Sequence, residues 1–234
     1  MLDKRGNSNW KERTRLIDRF IRLFGAECID SLVADREFVG KQWVEYLNNR
    51  RIRYYLRIKQ NFWLRNPKSS EDVRAWHLFH GLRLGQERVY DKLFLLKGEY
   101  VYIAGAMLKN SDGVPELQIM ICYNRPEAAV ATYRQRWQIE TCFRAMKSSG
   151  FNIEDTHLRD IDRIARLTAM VCMALVWAYL VGEHKDMNVK AVRILKHGKR
   201  AKSLVKYGLE EIANVLLRPL YKPKFDIFKF LSCT

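Results

Sequence analysis

The sequence predicts an α/β fold with an inserted antiparallel β region and a helical C-terminal part. Three observations carry that expectation. Residues 7–58 read in the order helix, strand, helix, strand; residues 59–125 hold short strand-like runs separated by turn signals; and helical periodicity returns after Pro126. The segments 1–58, 59–125 and 126–234 are taken as the corresponding parts.

Asn7-Ser8-Asn9 precedes apolar residues at helical spacing, Trp10, Ile17, Phe20, Ile21 and Phe24, and Gly25 closes this first helix. A strand follows at Cys28–Ala34 and runs into Asp35-Arg36-Glu37-Phe38. Gly40–Asn49 reads as a helix with Trp43, Val44 and Leu47 inward, and Ile52–Ile58 as a strand rich in β-branched and aromatic residues. Further strands are expected at Arg88–Leu96, Tyr100–Leu108 and Leu117–Tyr123, divided by Lys97-Gly98 and Asn110-Ser111-Asp112-Gly113. One helix is then expected from about Glu127 to Ser148, another from about Leu158 to Gly182, and shorter pieces to about Leu217.

The chain has 234 residues, 48% of them hydrophobic, enough for a real core, and disorder is excluded. Its 42 Lys+Arg against 26 Asp+Glu give a formal charge of +16, which points to a polyanionic partner and against basic ones. Five scattered cysteines (Cys28, Cys122, Cys142, Cys172, Cys233) form no C-x-x-C pair, and of the histidines only His77 and His80 stand close, a weak pair for a metal. Free thiols, the absence of a signal-peptide core in Met1–Trp10, and an apolar run (Leu167–Val181) too short for a bilayer lead to a soluble cytoplasmic protein with no membrane partner and a buried core helix at that run.

Asp35 stands where a strand ends. On position alone it reads as a turn or helix-capping aspartate, with a reactive carboxylate as the alternative. In a continuous helix Tyr133, Arg136, Glu140 and Lys147 fall within an arc of about 60°, beside an apolar arc of Ile139, Cys142, Phe143 and Met146 that seats the helix. That polar face is either a solvated salt-bridge ladder or a metal-binding carboxylate with phosphate-holding neighbours.

The order Tyr-x2-Arg-x3-Glu-x6-Lys at Tyr133, Arg136, Glu140 and Lys147 resembles the signature of bacterial insertion-sequence transposases of the Asp-Asp-Glu type. Asp35-Arg36-Glu37-Phe38 with Gly40 and Trp43 is similar to that family's second-aspartate motif, and Glu154-Asp155-Thr156-His157 to the segment after its glutamate helix. The resemblance, from Leu2-Asp3-Lys4-Arg5-Gly6-Asn7 to about residue 185, implies an RNase H-like catalytic core with a β insertion. It implies Asp35 and Glu140 as catalytic acids holding two divalent ions, Mg²⁺ or Mn²⁺, and Tyr133, Arg136 and Lys147 as holders of transposon-end phosphates. DNA ends and target would be the partners, with two copies acting as a dimer on DNA.

The same resemblance places a first aspartate on a strand upstream of the Leu2-Asp3-Lys4 segment. The core is therefore expected to lack its first strands, and the chain to be inactive in strand transfer by itself. Asp3 matches a non-catalytic position and reads as surface charge rather than a substitute ligand. The competing expectations are a non-catalytic basic remnant that binds DNA or intact transposase, and, more weakly, a generic RNA-binding protein.

Arg50, Arg51, Arg53, Arg57, Lys59 and Arg65 cluster with Tyr54, Tyr55, Phe62 and Trp63, the mixture of a nucleic-acid groove or of a half-buried strand with solvated arginines. DNA contact is expected of Arg53, Arg57 and Lys59 among them. Trp63 and Trp76 are expected to be core residues; the resemblance offers a base-stacking role as the alternative. Lys185–Lys206 forms a second basic stretch suited to phosphate contact or to an exposed amphipathic helix.

Overall fold

The computed structural model describes residues 7–110, 112–148, 150–196 and 198–231. The Leu2–Gly6 motif with Asp3, and also Ser111, His197 and Cys233, lie outside the described residues. The chain divides into two compact units, one ending at Gln138 and the other beginning at Ile139.

The first unit is built on a seven-stranded sheet: β1 (Leu32–Ala34), β2 (Tyr54–Ile58), β3 (Trp63–Arg65), β4 (Asp72–Arg74), β5 (Glu87–Leu96), β6 (Glu99–Lys109) and β7 (Pro115–Cys122). Their spatial order is β1-β2-β7-β6-β5-β3-β4. Only β1 and β2 run parallel, with Ala34 beside Leu56; β2 pairs antiparallel with β7, so the strands expected as an insertion continue the same sheet. The expected strand at Cys28–Ala34 shortens to three residues: Cys28 belongs to a 3₁₀ turn over Ala26–Cys28, and pairing with β2 covers only Leu32–Ala34. β3 and β4 are additional, each too short to show alternation in sequence.

Strand alternation divides the core between two faces. Tyr54, Leu56, Ile58, Ile103, Ile119 and Ile121 point to one, with α2 (Lys41–Asn49) packing Trp43, Val44 and Leu47 there. The spacing of those three residues is that of one helix face, as expected. α1 (Trp10–Phe24) lays Ile17 and Ile21 against the same core and starts at an Asn9–Glu12 capping box. The short α3 (Ala75–Leu78) leads into Phe79, whose ring lies where a Cβ on Gly105 would come within 2.6 Å, so only glycine fits at that point of β6.

The opposite face carries Tyr55, Ala104, Ala106, Met120 and Cys122, covered by Ala129, Val130 and Tyr133 of α4 (Ala129–Arg134). Ala104 and Ala106 are small enough for a helix to sit close to the strands.

The single helix expected over Glu127–Ser148 is broken. After α4 the chain tightens into i→i+3 turns, with Gln135 N–H donating to Thr132 O (3.0 Å), Arg136 to Tyr133 O (3.0 Å) and Gln138 to Gln135 O (2.9 Å). α5 (Trp137–Lys147) then starts afresh. Its expected seat is also revised: Ala145 and Met146 are buried, but Ile139 and Phe143 are exposed. With the break, Tyr133 and Glu140 belong to different helices.

In the second unit α6 (Ile161–Asn188) packs against α7 (Leu204–Leu217). A Cβ on Gly182 would meet Leu204 O at 2.0 Å, and one on Gly208 would meet Ala178 O at 1.8 Å, so the two backbones touch. The apolar run Leu167–Val181, expected as a buried core helix, lies within α6, which is long and apolar enough by length and composition to cross a membrane. Val171, Ala178, Val181 and Gly182 are buried, whereas Met170, Met173 and Val176 are exposed. Core helices of soluble proteins also meet that length criterion. Buried Glu211 receives Lys185 at 2.5 Å and the Tyr221 hydroxyl at 2.7 Å, which pairs the charge inside the helix contact.

Candidate functional site

Asp35 follows the last residue of β1 and faces the α4 side of the sheet. Its Oδ1 accepts the Arg36 backbone N–H at 2.8 Å, capping the 3₁₀ turn Arg36–Phe38, so the capping role is real. The same oxygen accepts the Tyr133 hydroxyl at 3.3 Å across 98 residues of chain. Capping and site geometry therefore coexist in one carboxylate, and Oδ2 accepts no hydrogen bond from the described residues.

Tyr133 reaches Asp35 because α4 seats on the small residues of β6. Burial, then the neighbouring Asp35 carboxylate, push its phenol up to about 12, against the opposing pull of Arg136 and Arg57. The phenol is thus a neutral donor at ordinary pH. The Arg136 guanidinium lies 6.0 Å from the Tyr133 ring and 5.6 Å from that of Trp137, brought back by the turn between α4 and α5. Arg57, one residue beyond the pairing of Ala34 with Leu56, points to the same face and is ion-paired with Glu116 of β7. The first unit thereby gathers Asp35, Tyr133, Arg57 and Arg136 around one end of β1.

Arg53 also has internal partners, Asp30 at 3.1 Å and Asn124 at 3.3 Å. Lys59 is exposed and lines a cleft of about 660 Å³ with Phe62, Trp63, Arg65, Arg74 and Lys97. The expected core placement of Trp63 and Trp76 is corrected: they are 53% and 41% exposed. On β3 only Leu64 turns inward, and the Arg74 guanidinium sits 3.9 Å from the Trp63 ring. Tyr54 and Tyr55, by contrast, are fully buried and unavailable for stacking on bases.

In the second unit Glu140 lies in the first turn of α5, where the helix dipole favours a negative charge. Lys147, two turns on, pairs with Glu154 at 2.6 Å. Among the described residues no group of three or more His, Cys, Asp or Glu could hold a metal ion. A free carboxylate oxygen on Asp35 suits a hard cation such as Mg²⁺, which takes one or two carboxylates and keeps several waters. A two-ion set needs more oxygen ligands than Asp35 and Glu140 provide.

A family model described as transposase DDE domain matches residues 8–177, well over half of the chain. The chain belongs to the transposase DDE domain family. No curated protein matches it. The match contains β1 with Asp35, the whole sheet, α4, α5 and the first part of α6, and it ends before α7. Family membership brings DNA as partner and divalent metal as the usual cofactor.

Sequence reasoning missed the partners that hold the site's cations: Glu116, Asp30 and Asn124, and Glu154 as the partner of Lys147. Asp30, Glu116 and Asn124 lie 23 to 71 residues from the arginines they hold, and Glu154 lies past the end of α5, so no local pattern paired them.

Proposed function

We propose that this transposase DDE domain acts in cut-and-paste DNA transposition of the insertion-sequence type, in the cytoplasm, on an RNase H-like core. The observation that carries this reading is the Tyr133–Asp35 hydrogen bond, which joins the first residue of the Tyr-Arg-Glu-Lys signature to the acid at the end of β1. In this reading Asp35 and Glu140 are the acids of the reaction and ligands for Mg²⁺ or Mn²⁺. The bound ions would activate the attacking oxygen and stabilise the leaving one in an in-line phosphoryl displacement. Asp35 offers its free oxygen to a cation, and Tyr133 donates a hydrogen bond to an anionic oxygen. Arg136, Lys147, Arg53, Arg57 and Lys59 supply positive charge for transposon-end DNA, Arg57 and Lys147 by exchanging Glu116 and Glu154 for phosphate. Two copies would pair on the DNA ends.

We further propose that the polypeptide binds DNA but does not complete strand transfer alone. The support is the set of residues that match the family motifs, which includes two acids, Asp35 and Glu140, for a reaction of the Asp-Asp-Glu type. The test combines the purified chain with duplex carrying the terminal sequences of its own element, with and without Mg²⁺. Salt-sensitive binding without nicking is expected. Mg²⁺-dependent cleavage abolished by Asp35→Ala or Glu140→Ala would sustain the transposase reading and defeat the claim of inactivity. Failure to bind duplex DNA at any salt concentration would defeat both.

A further inference from the structure

We propose that the basic hairpin between α6 and α7 is a preformed contact for the duplex-DNA backbone, with Arg193, Lys196 and Lys199 engaging phosphates. The hairpin lies past residue 177, where the family match ends. The inference rests on the DNA-binding reading above and adds to it a surface outside the matched region.

Between Asp186 and Glu210 the sequence has seven cations and no acid. Two of them are spent internally, Arg200 on Asp186 at 3.1 Å and Lys202 on Glu210 at 2.7 Å. Arg193, Lys196 and Lys199 are exposed and form no ion pair with any described residue. A charge run of this kind is ordinarily a solvated face. The way this one is built separates it from that case.

Ile194 and Arg200 form a β-bridge, Leu195 N–H donates to Lys199 O at 2.8 Å and Ala201 N–H to Arg193 O at 2.8 Å. Gly198, at φ 78°, makes the reversal. Asp186 is the latch. Its carboxylate, 12% exposed, accepts Val192 N–H at 2.6 Å and Arg200 at 3.1 Å, fixing the hairpin base to the end of α6. The Tyr207 hydroxyl of α7 donates to Lys190 O at 3.0 Å, a second anchor. The one acid of the segment therefore holds the loop's shape and leaves the tip cations uncompensated.

The chain leads straight into α7, whose first turn carries no acid, so the positive end of the helix dipole adds to the same potential. Three like charges gathered on one hydrogen-bonded hairpin repel one another until a polyanion screens them, and the backbone bonds that tie the hairpin lower the ordering cost on binding. Regularly spaced phosphates meet that requirement. Ile194 is the one large apolar side chain exposed on the loop, too little for membrane insertion.

The experiment titrates the full chain against non-specific duplex over a range of KCl concentrations, following fluorescence anisotropy. The triple variant Arg193→Ala/Lys196→Ala/Lys199→Ala is expected to make the slope of log K against log salt shallower by about 2.7, at roughly 0.9 per phosphate contact. Lys68→Ala/Arg83→Ala/Lys109→Ala removes the same charge from scattered exposed sites and is expected to leave the slope unchanged. Asp186→Ala makes the protein more positive yet is expected to weaken binding several-fold, because it frees the hairpin; tighter binding would overturn the latch. An unaltered slope in the hairpin triple variant, or equal losses in both triple variants, overturns the proposal while DNA binding stands. Absence of duplex binding by the unmodified chain overturns the functional reading as well. Hairpin-dependent binding to phosphatidylserine vesicles with unaltered DNA binding would assign the loop to a membrane and overturn it.

Discussion

Tyr133 shows how one side chain links fold and chemistry. Its ring fills the contact between α4 and the sheet, and its hydroxyl donates to Asp35. Tyr133→Phe is expected to cost about 1 kcal/mol of stability, the net value of one hydrogen bond, and to weaken end-DNA binding roughly 2- to 10-fold. Thermal denaturation and anisotropy titration check the two effects. The pH dependence has a definite sign. Because the folded phenol is raised from 10.0 to about 12, its stabilising contribution is complete below 10 and is lost as pH rises towards 12. Tyr46 is also raised to about 12 and Tyr54 is raised further, so Tyr133→Phe should leave alkaline destabilisation shallower but present. An identical alkaline profile in both proteins would contradict the assignment. The signature residues were singled out by resemblance to a family's spacing; the partners of the basic residues were not legible, since Arg57 meets Glu116 only after two strands have paired.

At the level of elements, α1, α2 and the strands β2, β5, β6 and β7 lie close to where the sequence placed them, because apolar, β-branched and aromatic residues concentrate there between turn signals. The break between α4 and α5 has no such signal. Neither Gln135 nor Arg136 is a helix breaker, so periodicity runs through a turn that tertiary packing makes. The α6–α7 contact was likewise hidden, although Gly182 and Gly208 mark it once the helices are paired. Gly208→Ala drives a Cβ against Ala178 O and is expected to destabilise the second unit by about 3 kcal/mol, the upper end of ordinary overpacking costs. Hydrogen exchange should show faster exchange of α6 and α7 amides with β6 and β7 amides still protected. Loss of protection throughout the sheet would mean that the two units do not unfold separately.

Over the whole molecule the formal charge of +16 sets the behaviour towards polyanions. With about six phosphate contacts, duplex affinity should fall on the order of 10³-fold between about 50 and 200 mM salt, and salt-insensitive binding would count against a backbone-dominated interface. Much of the basic charge named in the first unit is not free: Arg53, Arg57 and Arg65 hold Asp30, Glu116 and Asp72. The sequence by itself determined the sign of the partner, the order of the family motifs and most of the regular elements, because charge, spacing and periodicity are local properties that any fold must respect. Tertiary structure alone decided that Tyr54 and Tyr55 are core while Trp63 is open, that Asp35 both caps a turn and receives Tyr133, and that the signature helix is two helices. Those outcomes depend on contacts between residues tens of positions apart, and no local pattern encodes which distant side chain will neutralise a charge or cover a ring.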